Sequence, residues 1–307
     1  MSNNLKGFTY VFLFSLAWAL NVVLAGYTIT TLGVNPYVYG GQTLMTATIL
    51  FVLYIIFKNS TQAKPLRLKK SHIIWLLLMG FVSNGIGNYF TLKGIAYSPT
   101  NFAFLIKTSV IFTFVTELLL GHQKFDKVRL GFIMLLLFGA YLISTNGQWI
   151  LPEKYDVYSI IAAACVGIVG AWSMSYINDN APEYMALFRS LAGGVTLYIF
   201  AGVFDHTMGL DKLQYLWSGI VGGVLVFLLF LFLYKLLEFK SASYSSMMSM
   251  MFSVMVLGLE YILFGKTLQT WQFVGAGIII ISVVLLEMYS QQKEKKDISI
   301  HEDSIKK

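Results

Sequence analysis

A single cysteine, Cys165, excludes an intramolecular disulfide, and its apolar setting (AAACVGIVG) marks it as a packing residue. Charge is scarce. Only 12% of the 307 residues are Asp, Glu, Lys or Arg, against 57% hydrophobic residues, and the mean hydropathy is +0.69. A chain of that make-up would expose large apolar patches in water, so a bilayer is its expected solvent. The histidines His72, His122, His206 and His301 fall in loops or the tail without metal-ligand spacing, so no metal is expected. No run of apolar sequence gathers an acid, a base and a nucleophile, and no loop could hold a catalytic domain. An enzyme is therefore not expected, and no cofactor is called for. The segment from Gly258 (GLEYILFGKT) imitates a phosphate loop, but six residues separate Gly258 from Gly265 where that motif needs four.

What the chain has instead is ten apolar runs, from Gly7–Tyr27 to Leu268–Leu286, each near the ~17 to 25 residues that span a bilayer as a helix. Runs such as VLVFLLFLFLY and GIIIISVVLL do not alternate in polarity, which excludes the strands of a membrane barrel. The expected class is an all-α integral membrane protein. The first run contains Trp18 and Asn21 and is too long for a cleaved secretory signal, so it is expected to be retained.

Basic residues orient the spans. Of the 22 Lys and Arg, Lys107 and Arg189 lie within spans, Lys93, Lys154, Lys212 and Lys266 fall on one side, and the remainder fall on the side of the N-terminus. The positive-inside bias then places both termini in the cytoplasm of a multi-pass cell-membrane protein. The net charge of +7 is explained by that topology and by anionic inner-leaflet lipid, without a nucleic-acid partner. Reporter fusions at residue 2 and after Leu286 are both expected to read as cytoplasmic; an outside signal from either would remove the topology.

A weak repeat organises the spans. Gly121 and Gly131 are ten residues apart, as are Gly265 and Gly275, and a glutamate, Glu117 or Glu260, precedes each leading glycine by four or five residues. Both halves begin with a Trp-bearing run (Trp18, Trp172) followed by a Pro-led one (Pro36, Pro182). Five spans per half is an odd number, so the halves must cross the membrane in opposite senses. Inverted repeats of this kind are characteristic of secondary transporters, with the cargo site near the midplane between the halves.

The segments LAWALNVV around Trp18, PEYMALFR from Pro182, and the two tails LGHQKFDKVRLG and FGKTLQTWQFVG resemble the paired EamA domains of the drug/metabolite transporter superfamily. Trp18 and Asn21 match the first-helix pattern W-G-x-N with Ala19 in place of Gly, and Arg189 matches an Arg that follows the Pro of the seventh helix. Gln42 stands near the corresponding place in the first half, while His122 and Lys266 replace a glutamate common in the family. The resemblance implies two EamA-like repeats of five helices, at 1–146 and 157–290, with helices 1 to 4 and 6 to 9 lining a central cavity. The charged segment 291–307 is expected to be a disordered cytoplasmic tail. The implied activity is secondary transport, by alternating access, of a small polar metabolite such as an amino acid or related compound, in the export direction. Import of a vitamin or cofactor, and a non-transporting membrane sensor, stay open as alternatives. The expected partners are a small-molecule cargo and the lipid bilayer, with a homodimer also open.

Candidate contact residues follow from polarity inside the spans. Trp18, Asn21, Gln42, Asn84, Asn88, Tyr89, Lys107, Trp172 and Arg189 could offer hydrogen bonds, charge or stacking to a ligand in an apolar pocket. Each has an ordinary alternative, because Asn, Gln and Ser in membranes often bond a neighbouring helix and long cations can snorkel. Glu117 and Glu260 are candidates for coupling or gating. Depth suggests pairings: Lys107, about 10 Å from the outer start of its helix at ~1.5 Å per residue, with Glu260, and Arg189 with Glu117 on the inner side.

Overall fold

The computed structural model describes residues 3–62, 65–97, 99–149, 151–204, 216–265 and 267–305. Every described element is helical, and ten helices are long and apolar enough to cross a membrane. They are α1 (Gly7–Thr31), α2 (Pro36–Thr61), α3 (Lys70–Ile95), α4 (Asn101–Leu119), α5 (Lys127–Thr145), α6 (Asp156–Ser173), α7 (Pro182–Phe204), α8 (Leu216–Leu237), α9 (Ala242–Phe264) and α10 (Thr270–Gln292). Their outward faces carry bare aliphatic side chains such as Leu119, Ile262 and Ile74, 81%, 74% and 66% exposed, as lipid-facing positions should.

Local chemistry sets the helix starts. Asn35 caps α2, its Oδ1 accepting from the N–H groups of Tyr37 and Val38, with Pro36 at the first helical position where no N–H is needed. Asp126 caps α5 through the N–H groups of Val128 and Arg129. Ser241 caps α9 through that of Tyr244. The last helix continues beyond its span to Ile305, into the segment 291–307 expected to be disordered, of which residues 306 and 307 lie outside the described residues. That segment is rich in Lys, Glu and Gln, which are good helix formers, so an apolar face is not required to continue the turn.

The packing obeys the repeat. α2 lies against α7 and α5 against α10, each helix on its own counterpart. α1 packs on α8 and α9, as α6 packs on α3 and α4. α8 against α2 mirrors α3 against α7. Exchanging the halves leaves this set of neighbours unchanged, as expected of inverted repeats related by a pseudo-two-fold axis in the membrane plane. The α5–α10 contact is backbone to backbone: a Cβ added at Gly275 would fall 2.6 Å from the carbonyl oxygen of Gly139.

Three helices are irregular at mid-length. α3 widens into a π-turn at Phe81–Ile86, and α4 tightens into a 3₁₀ turn at Ile106–Thr108. α9 is interrupted at Met250, between helical stretches Ala242–Ser249 and Met251–Phe264. The offset that carries Glu117 onto Glu260 carries Lys107 onto Met250, so α4 and α9 break at corresponding points. Breaks within membrane helices free backbone polar groups that must be bonded again by protein or water, and they tend to mark functional positions.

Candidate functional site

Arg189 is placed by a close crossing of α3 and α7. A Cβ at Gly80 would fall 2.5 Å from the Arg189 carbonyl oxygen, and one at Gly193 would fall 2.3 Å from the Cβ of Asn84. Only because both positions are glycine can the backbones approach so closely that the guanidinium meets α3 side-on. Its Nε donates to the Ser83 hydroxyl at 3.0 Å and to Asn84 Oδ1 at 3.2 Å, and Nη1 donates to the Tyr234 hydroxyl at 3.3 Å. The guanidinium carbon lies 5.3 Å from the Phe230 ring centre. Arg189 is 6% exposed, and its partners among the described residues are all uncharged side chains. Asn84, within the π-turn, is also 6% exposed; its Nδ2 is buried without a hydrogen-bond partner. Asn88 shares its face, with Nδ2 donating to the Asn84 backbone oxygen at 2.9 Å.

The second cation occupies the break in α4. Lys107 sits in the 3₁₀ turn, 9% exposed, its Nζ 3.3 Å from the centre of the Phe252 ring on α9. Trp18 stacks on the same ring, with centroids 4.2 Å apart and planes 11° from parallel. Three helices, α1, α4 and α9, thus converge on Phe252. Asn21, nearly one turn along α1 from Trp18, holds a buried Oδ1 without a hydrogen-bond partner.

Neither pairing expected from depth forms. Lys107 faces Phe252, more than two turns before Glu260 on α9, and no ion pair joins them. Glu117, with 0% exposure, reaches the start of α9: Oε1 accepts from the Ala242 N–H at 2.7 Å and Oε2 from the Ser243 N–H at 3.0 Å. It caps a helix with the two first-turn donors that Ser241 leaves open, where the positive end of the helix dipole favours an anion. Matched depth fixes a residue's height along its helix but not the direction in which its side chain leaves.

The remaining candidates are dispersed. Gln42 lies under α8, where a Cβ at Gly219 would fall 2.6 Å from its Oε1. Tyr89 belongs to an aromatic group with Tyr37, Phe200 and Phe204. Trp172 packs edge-on to Trp75 and Tyr176 and does not join Trp18.

Several residues escaped the sequence reading. Tyr234, Phe230 and Phe252 lie in largely apolar spans, and nothing in the sequence separates them from packing residues. Glu183, 1% exposed, pairs with Lys58 at 2.6 Å. Glu287, 8% exposed, accepts from the Tyr244 hydroxyl and from Gln291. Both glutamates stand at the ends of apolar runs. On the same side of the molecule the 174–181 loop bonds to the 65–72 segment: Ala181 N–H to the Arg67 carbonyl at 2.8 Å, Asn180 Nδ2 against His72 Nδ1 at 3.0 Å, and Lys69 with Asp179 at 3.2 Å.

The pairing of two similar halves agrees with comparison to known sequences. The profile of the EamA-like transporter family matches residues 5–145 and 153–288, once in each half. The chain belongs to the EamA-like transporter family. No curated protein matches the sequence. One crystal structure of a protein superposes on this family member with a TM-score of 0.75 at 13% identity, over 95% of this chain and 98% of that one, a likeness of fold.

Proposed function

We propose that this EamA-like protein is a secondary carrier that moves a small polar metabolite, an amino acid or related compound, across the cytoplasmic membrane by alternating access, working as an exporter with both termini in the cytoplasm. The observation that carries the proposal is the break of α4 and α9 at corresponding points, with the buried Lys107 in one break and Met250 at the other. Paired interruptions in equivalent helices of inverted repeats are where such carriers hold cargo, because the backbone freed there lines the path. Trp18, Asn21, Asn84, Asn88 and Arg189 supply polar and aromatic contacts; Gln42, Tyr89 and Trp172 lie farther out along the same core. The Lys58–Glu183 pair and the 65–72 to 174–181 bonds supply the closure on the cytoplasmic side. Glu117 and Glu260 are the candidates for coupling or gating, and both oxygens of Glu117 accept from backbone N–H groups.

Sealed vesicles containing the purified protein are expected to show time-dependent, saturable uptake of a small polar solute such as an amino acid. Binding without time-dependent uptake would make the protein a sensor. Path residues can be tested independently. Cysteine at position 88, in a Cys165→Ala background, is expected to react with a small water-soluble thiol reagent and to be slowed by cargo. If controls in the 146–156 loop label fully while position 88 does not, Asn88 is a packing residue.

A further inference from the structure

We infer that the cargo carries an anionic group, a carboxylate or a phosphate, and that Arg189, Asn84 and Tyr234 form the subsite that receives it. The inference rests on the transport reading above and narrows its substrate class.

Three observations converge. Arg189 is buried at membrane depth, yet Ser83, Asn84 and Tyr234, which accept from it, are all neutral, and none of the four ion pairs among the described residues includes it. A cation at that depth costs several kcal/mol unless compensated, and the usual compensation is a carboxylate. The chain has buried carboxylates, but each is engaged elsewhere. Glu117 holds the start of α9, Glu183 holds Lys58, Glu287 holds Tyr244 and Gln291, and Asp126 caps α5 and accepts from Tyr289. Among the described residues, the site for this positive charge has no counter-ion.

The second observation is the amide of Asn84. Its Oδ1 takes the Arg189 Nε–H, which fixes the amide so that Nδ2 points away from the guanidinium, and that Nδ2 is buried without an acceptor. An unmet donor beside an uncompensated cation asks for an acceptor with negative charge. The third is Tyr234, whose hydroxyl accepts from Nη1 and keeps its own hydrogen available to donate. A planar guanidinium, an amide N–H and a phenol O–H are a donor set suited to a carboxylate or a phosphate, with the Arg contact charge-assisted. Lys107 adds a second buried cation whose described partner is the Phe252 ring, in keeping with a negatively charged cargo.

The test uses the full-length protein in detergent, read by thermal unfolding at constant ionic strength. The probes are succinate against succinamide, benzoate against benzamide, and inorganic phosphate against chloride. At least one anion is expected to raise the Tm saturably while its neutral counterpart does not, and phosphate against the carboxylates separates the two anion types. Arg189→Gln should weaken the apparent affinity for that anion by about tenfold or more, with Arg189→Lys retaining the preference for charge. Asn84→Asp is the decisive variant, because it supplies a carboxylate of the protein's own beside Arg189. It is expected to raise the Tm without ligand and to abolish the response to anions, and it serves even where Arg189→Gln does not fold. Equal stabilisation by acid and amide, no stabilisation by any of the anions, stabilisation by phosphatidylglycerol alone, or an Asn84→Asp protein that responds like wild type would each overturn the inference. An anion-specific Tm shift without vesicle uptake keeps the subsite and removes the transport reading; uptake of a neutral solute without any anion shift does the reverse.

Discussion

Replacing Glu117 with alanine is expected to lower the stability of the folded protein by on the order of 3 kcal/mol, measured as a fall in Tm of the purified protein in detergent. Both carboxylate oxygens are committed to N–H groups at the start of α9, and the side chain has no exposed surface. Alanine leaves those two donors without an acceptor in a dry setting, with the charge that faced the helix dipole also removed. Water cannot substitute where the side chain is sealed. Glu117→Gln retains one acceptor oxygen and should recover a substantial part of the loss. A Glu117→Ala protein as stable as wild type would mean that α9 is not held this way.

Lys107→Met is expected to do the opposite to the two readouts: leave stability within about 1 kcal/mol of wild type, or raise it, while abolishing transport in vesicles. The ammonium gains about 2 kcal/mol from the face of Phe252 when desolvated. Its burial at membrane depth costs at least ~2.5 kcal/mol, so the two nearly cancel. Met fills the same volume without either effect, and replacement of a buried charge by an apolar side chain is commonly neutral or stabilising. Met is also what the protein itself places at the matching point, Met250, which is 3% exposed. A Lys107→Met protein that unfolds would assign Lys107 to structure; one that transports at the wild-type rate would remove it from the site.

The contrast between these two residues shows what the sequence could reveal. Depth, apolar run length and the odd number of spans per half announced ten helices in two inverted repeats, because the membrane imposes those constraints on any chain that crosses it. The sequence also singled out Lys107, Arg189 and Glu117, since a charge inside an apolar run is conspicuous. It could not give their partners. Phe252 and Tyr234 are ordinary members of apolar runs until a cation is placed on them by the azimuth of another helix. The place of the π-turn in α3 was not legible either: Gly80, Gly85 and Gly87 permit close packing and irregular backbone, but nothing else in FVSNGI fixes where the turn widens. Glu183 and Glu287 were passed over because the end of an apolar run looks the same whether it meets water or is covered by a neighbouring loop.

The pseudo-two-fold relation of the halves extends to the backbone and to Glu117 and Glu260, and stops at the buried cations. Lys107 has Met250 as its counterpart, and with the Pro36 and Pro182 starts superposed Arg189 falls on Thr43. A duplicated scaffold therefore carries buried cations that are not duplicated. On the transport reading proposed above, a molecule bound between the halves would have one favoured orientation and would present opposite ends to the two faces of the membrane, so that a symmetric frame would hold a site that is polar in direction.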